Sequence, residues 1–236
     1  LRVFKSEHIS TVSISLPIAA SLLVIVLALI FDRHRLFDYY WTCETVLLPS
    51  FSRIINLPLE RVAWQLLVLL HIPLRLVLLF QYYVHFCLLN PPSPRSSFLL
   101  FSMTLSSIVD LVSLSLLSVV GERENGILHM AFFITFIISS LIYMFSHLAL
   151  SSPQRNGSYY IRLTSFTSLI AILPLLSIAF YVFQEFCVKY SYSTFASLEY
   201  TSILLILLFH STTVSDLRFA VAVQYRDSKD VCRSQH

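Results

Sequence analysis

Glycine is scarce. The 236 residues hold three, Gly121, Gly126 and Gly157, and each falls in a polar break rather than inside an apolar run. Apolar stretches free of glycine read as uninterrupted helices, the open-ended elements that satisfy their own backbone in lipid. Charge is scarce too. Asp, Glu, Lys and Arg make up 12% of the chain, where an ordinary soluble domain carries roughly 25%. With 56% hydrophobic residues and a mean hydropathy of +0.76, lipid must cover the surface that charge does not. Weak alternation along the runs argues against a β-barrel. The net charge is +3, yet no two Lys or Arg residues are adjacent, so no nucleic-acid partner is expected. There is no Gly-x-Ser-x-Gly turn, no zinc-ligand spacing and no phosphate loop. No metal and no cofactor are expected.

What the sequence does have is six long apolar runs: Ile9–Phe31, Val62–Leu89, Phe98–Val120, Ile127–Leu150, Leu163–Phe186 and about Thr194–Ser215. Each is near the ~20 residues that cross a bilayer. The first is too long for a signal-peptide core and has no small-x-small cleavage site after it. The expected fold is therefore all-α, a polytopic bundle of six transmembrane helices within residues 1–216. A polar segment, Asp32–Glu60, separates the first two spans, and 217–236 has the composition of a disordered tail.

Orientation follows from Lys and Arg near the helix ends. One set of ends holds nine (Arg2, Lys5, Arg95, Arg155, Arg162, Arg218, Arg226, Lys229, Arg233) and the other six (Arg33, Arg35, Arg53, Arg61, Arg123, Lys189). Both termini are expected in the cytosol, with the Asp32–Glu60 segment lumenal. The sequon Asn156-Gly157-Ser158 then faces the cytosol and stays unglycosylated. Cys43 and Cys187 fall together on the oxidising side and are candidates for a disulfide, whereas Cys87 and Cys232 lie toward the cytosol.

An ionisable group within a bilayer calls for a reason. Three charged ones occur here, Arg75, Asp110 and Glu199, accompanied by His71 and His210. His71 and Arg75 share a helix face at i and i+4. At ~1.5 Å per residue His71 sits ~14 Å deep, and Asp110 lies about as deep on the next span. Ser102, Ser106, Asp110 and Ser113 form a polar stripe, as do Glu199, Ser202, His210 and Thr213. His129 opens the fourth span at the lumenal side, with Ser140 and His147 below it. A structural reading makes these groups a buried ion pair and serine contacts that fix helix register. That reading is stronger for His85 and His147, each near a cytosolic end and within reach of water. A functional reading makes a polar cavity open to the lumenal half of the bilayer. There Arg75 holds a phosphate, and His71 with Glu199 or Asp110 does acid–base work. Pro17, Pro73 and Pro174 are expected to kink their helices.

Several stretches together carry a family resemblance: Cys43 with Leu48-Pro49-Ser50 and Ser52; Leu70-His71-Ile72-Pro73-Leu74-Arg75; His129 with Phe133, Phe136-Ile137 and Ser139-Ser140-Leu141; and Leu198-Glu199-Tyr200-Thr201 with Phe209-His210. In this order, over roughly Ile9–Asp216, the chain resembles the post-GPI-attachment-to-proteins factor two family of the Frag/DRAM/Sfk group. It departs where that family often has Glu-Asn (here Asp110-Leu111), an Asn (here Ala131) and a His (here Tyr143). His71, Arg75, Glu199 and His210 are the better-matched positions.

The resemblance implies lipid remodelling of glycosylphosphatidylinositol (GPI) anchors, mainly in the Golgi and secondarily in the endoplasmic reticulum. The step is return of a saturated acyl chain to lyso-GPI, with the chain acting as the catalyst or as a factor serving a partner acyltransferase. The acyl donor is left open. His71, Glu199, Asp110 and His210 are then candidates for catalysis, and Arg75 and His129 for the substrate phosphate. Two other classes compete: a non-enzymatic lysosomal or autophagic membrane protein of the wider group, and a transporter using Arg75, Asp110 and Glu199 as an ion path. No internal repeat or glycine-broken helix favours the transporter.

Overall fold

The computed structural model describes residues 6–37, 46–122, 124–151 and 156–215. Among these all regular structure is helical: α1 Ser6–Phe31, α2 Arg33–Phe37, α3 Phe51–Ile54, α4 Pro58–Leu89, α5 Pro94–Val119, α6 Gly126–Ser151, α7 Gly157–Phe186 and α8 Ser191–Ser211. The six long ones are the expected spans, each long and apolar enough to cross a membrane. Several begin earlier than the apolar runs because polar residues start them. Pro58 takes the first position of α4, where a missing N–H costs nothing. Ser93 and Ser96 form a capping box at α5. The Asn156 side chain accepts from the Tyr159 N–H at 3.0 Å to open α7. The helices run through Pro17, Pro73 and Pro174 as continuous elements.

Neighbours in the chain are neighbours in space. α1 packs on α4, α4 on α5, α5 on α6, α6 on α7 and α7 on α8, and α8 returns to α1. The result is a ring of six spans around one interior. Lipid-facing side chains remain open, among them Ile127 (84% exposed) and Leu88 (70%). In an apolar solvent such exposure carries no penalty.

Two packed clusters hold the ring. One lies toward the end where α4 joins α5 and α6 leads to α7, called here the far end; Tyr82, Phe86, Met103, Met144, Leu150, Leu169 and Phe209 form it. The other lies at the α3 end, where Ala20, Val24 and Ala28 of α1 meet Trp64 and Val68 of α4 and Phe51, Ile54 and Leu57 around α3. The Asp32–Glu60 segment is thus not a loop hanging in water. Its second half folds back into the bundle and buries Phe51, Ile54 and Leu57.

The α5–α6 turn is braced against α4. Arg61 donates to both carboxylate oxygens of Glu124, at 2.7 and 2.8 Å, and to the Val119 carbonyl. A Cβ on Gly121 would meet the Asn56 carboxamide oxygen at 2.5 Å, so the Asn56 side chain would have to turn aside to admit one.

Two placements differ from the sequence reading. Arg162, counted above with the flanking basic residues, lies inside α7 and is 2% exposed. Its guanidinium donates to the Tyr82 hydroxyl and stands over the Tyr82 and Phe209 rings. His147, expected within reach of water, is 1% exposed because Tyr82, Phe86 and Phe209 enclose its ring.

Candidate functional site

Glu199 sits just over two turns into α8 and points at the start of α3. Its carboxylate accepts from the Phe51 N–H at 2.6 Å and the Ser52 N–H at 3.2 Å. These are orphan donors of a helix N-terminus, so a buried carboxylate finds its partners in backbone rather than in a cation. Neighbouring α8 side chains finish the clamp. The Tyr192 hydroxyl accepts from the Ser50 N–H and donates to the Ser50 hydroxyl. The Tyr200 hydroxyl donates to the Pro49 carbonyl at 3.0 Å. Phe51 then stands edge-on to Trp64 and Tyr200, at 5.1 and 6.0 Å.

Deeper in the bundle, Asp110 accepts a short hydrogen bond from the Ser140 hydroxyl and lies 3.6 Å from the Arg75 guanidinium. That separation is too long for a hydrogen bond, and Nη2 of Arg75 is buried without one. Arg75 also faces the Tyr143 ring at 5.9 Å, and Tyr143 stacks on His210 at 5.6 Å. Nδ1 of His71, a residue 3% exposed, likewise has no hydrogen-bond partner among the described residues. Two buried residues, each with a nitrogen that makes no hydrogen bond, therefore line one space, Arg75 being held there by its ion pair with Asp110.

That space is a cavity of about 150 Å³ lined from all six spans. His71, Arg75, Asp110 and His210 stand at its deep part, and Ser52, His129 and Glu199 at its α3 end. A second cavity of about 590 Å³ shares Ser52, His129, Phe133, Leu176 and Glu199 with it, and continues between α6 and α7. His129 holds the joint between them. Its Nδ1 is 2.7 Å from the Val120 carbonyl, which can only accept, so this nitrogen carries the proton.

The chain matches the family described as "Frag1/DRAM/Sfk1/Cwh43P N-terminal domain" over residues 6–219. It belongs to that family. It is also 25% identical to a Drosophila melanogaster protein named "Post-GPI attachment to proteins factor 2-like", over 92% of this chain and 72% of the relative. No solved structure matches it.

In this Frag1/DRAM/Sfk1 family chain, two stretches that looked independent in the sequence, Leu48–Ser52 and Leu198–Thr201, dock on one another. The clamp of Glu199, Tyr192 and Tyr200 on residues 49–52 is that docking. Structure brings His71, Arg75, Asp110 and His210 together and sets Glu199 and His129 at the other end of the same cavity. Three contributors went unassigned in the sequence reading: Tyr143, packed between Arg75 and His210; Arg162, with Tyr82 and Phe209; and Arg53, buried beside the larger cavity. Arg162 carried a weak signal, lying one residue before its apolar run. Cys187 is disulfide-bonded, Cys87 is free, and Cys43 lies outside the described residues. Cys187 and Tyr190 both adopt left-handed backbone, at φ 50° and 67°, in the α7–α8 turn. Among the described residues no group of three His, Cys, Asp or Glu side chains is placed to share a metal.

Proposed function

We propose that this protein handles the lipid of GPI anchors in the Golgi and returns a saturated acyl chain to lyso-GPI, with its α3 end on the lumenal side and both termini cytosolic. The observation that supports this most is a pair of buried nitrogens without a hydrogen bond, His71 Nδ1 and the Asp110-paired Nη2 of Arg75, on residues lining a cavity that reaches the α3 end. The relative's name points to the same pathway.

In the proposed reaction His71 takes the proton from the free glycerol hydroxyl. The oxygen attacks the carbonyl carbon of the acyl donor, and Arg75 holds the oxyanion that forms. Collapse forms the new ester and expels the donor's alkoxide or thiolate, which takes the proton back from the imidazolium. Asp110, tied to Ser140, keeps the Arg75 guanidinium in place. Glu199 acts on position rather than on protons, because both of its oxygens are occupied by α3 amides. His210 walls the deep part with Tyr143 stacked behind it, and His129 stands where the two cavities meet.

A second reading has its own observation. Both carboxylates are engaged in structure, Asp110 by Ser140 and Glu199 by α3, as befits a protein that presents the lipid to a separate acyltransferase. The test uses the full chain in phospholipid vesicles with lyso-GPI and an acyl-CoA or phospholipid donor. Conversion to diacyl GPI by the protein alone supports catalysis. Conversion only when Golgi membranes from cells lacking the protein are added supports the presenting role. No conversion in either case contradicts both.

A further inference from the structure

The larger cavity is open on one side. At the far end α6 and α7 touch through Phe145 and Phe166, whose ring centroids are 6.5 Å apart. Toward the α3 end α7 leans on α8 instead, through Phe180 with Phe195 and Phe183 with Tyr192, each pair at 5.0 Å. The cavity of about 590 Å³ fills the resulting gap between α6 and α7, within the ~300–1,000 Å³ span of small-molecule sites. Met130 and Ile134 on α6 and Ser177 on α7 flank it and are exposed at positions that face lipid. Its walls are apolar along Phe133, Leu176 and Phe180, with the Ser177 hydroxyl at the opening, and polar toward α3, where Arg53, Asn56, Glu122 and Glu199 stand. Arg53 is 5% exposed, and one of its terminal nitrogens already donates to the Arg35 carbonyl at 3.1 Å, which fixes the guanidinium. A slot inside a membrane-spanning bundle, open sideways to acyl chains and polar at its interfacial end, with one guanidinium beside Glu122 and Glu199, has the polarity of a phospholipid whose head group carries both a phosphate and hydroxyls.

We infer that a glycerophospholipid of the leaflet at the α3 end enters sideways between α6 and α7, with its phosphate at Arg53 and one acyl chain along Phe133, Leu176 and Phe180. This deepens the lipid-handling reading above. It also removes a mismatch of depth: Arg75 lies too far into the bilayer for a head-group phosphate but suits a reacting carbonyl, whereas Arg53 is next to the clamp at the bundle end. Glu122 on the same rim can accept from head-group hydroxyls.

The experiment places the purified full chain in phosphatidylcholine vesicles with a trace of phosphatidylinositol whose acyl chain carries a diazirine. After irradiation, labelled peptides are mapped by mass spectrometry. The expected result is labelling concentrated around Met130, Ile134 and Phe180. Ser177→Trp, at a position whose hydroxyl bonds only within its own helix, should cut that labelling about tenfold and leave labelling of the outward Leu70 and Phe101 unchanged. Arg53→Gln should reduce labelling by the phosphatidylinositol probe about tenfold, the worth of one charge-assisted hydrogen bond, while a diacylglycerol probe labels as before. Labelling spread evenly around the bundle, or unchanged by Ser177→Trp, overturns the entry route. Equal loss of both probes in Arg53→Gln overturns the phosphate contact. Labelling at the α6–α7 gap in a protein whose loss leaves GPI-anchor lipids unchanged would keep the entry route and remove the GPI reading.

Discussion

At the far end of the bundle, Phe86, Leu150, Leu169 and Phe209 are each at most 1% exposed, and rings of Tyr82, Phe86 and Phe209 close around His147 and Arg162. At the α3 end the same six helices leave two joined cavities, and a four-residue helix held by side chains of α8 sits over them. Polar groups are buried at both ends, but to different effect. Arg162 is covered by aromatic faces and a phenol, so its charge contributes to packing. Arg75 and His71 stand at the boundary of the two regions, each with a buried nitrogen that makes no hydrogen bond, Arg75 keeping its ion pair with Asp110. One end has the packing of a scaffold and the other the form of a chamber; His71 and Arg75 stand at their junction.

The comparison can be broken most directly at that junction. Arg75→Leu strands the buried Asp110 and should cost about 3–5 kcal/mol, whereas Arg75→Leu with Asp110→Leu should recover much of that loss. Thermal unfolding in detergent of both single variants and the double checks it. Recovery of stability without recovery of acyl-chain return would separate the pair's fold role from its function.

Leu169 and Leu176 lie two turns apart on α7, one in the far-end cluster and one lining both cavities. Leu169→Ala should cost about 2–5 kcal/mol, as for a well-packed core leucine. Leu176→Ala, at the wall of both cavities rather than in the packed cluster, should cost clearly less. Equal losses in a denaturation series would mean the two ends are packed alike.

Glu199→Gln keeps one acceptor oxygen and loses the other, leaving an α3 amide unpaired at about 1–3 kcal/mol. Faster hydrogen exchange at Phe51 and Ser52 than elsewhere in the bundle is the expected sign. Exchange unchanged at those amides would show that α3 is held without Glu199. The smallest effect belongs to the α5–α6 turn. There the double hydrogen bond from Arg61 holds the Glu124 carboxyl at about 2, below its ordinary 4.5. A depressed carboxyl stabilises above its ordinary value and loses that contribution as pH falls toward 2. The difference in unfolding temperature between wild type and Glu124→Gln should therefore be small at pH 6 and vanish near pH 2.

The six spans were legible because each apolar run reaches the length of a bilayer. Their starts were not, because Pro58, Ser93 and Asn156 cap helices with residues that hydropathy counts against a span. The shared depth of His71 and Asp110 was readable from the ~1.5 Å rise per residue. The partners of Glu199 were not, since they are backbone amides of residues 148 and 147 positions away. α3 itself is four residues long in a polar stretch, below the reach of any periodicity. It exists because Phe51, Ile54 and Leu57 are buried against α1 and α4. The opening between α6 and α7 is a property of how α7 packs against α8, which no single segment encodes.

The most direct test of the chamber's role is mass spectrometry of the lipid on GPI-anchored proteins from cells lacking this protein, before and after the gene is restored. The expected result is loss of saturated chains at the second glycerol position and their return with the wild-type gene, but not with Arg75→Leu/Asp110→Leu. Anchor lipids that are identical in all cell lines would contradict a role in GPI remodelling.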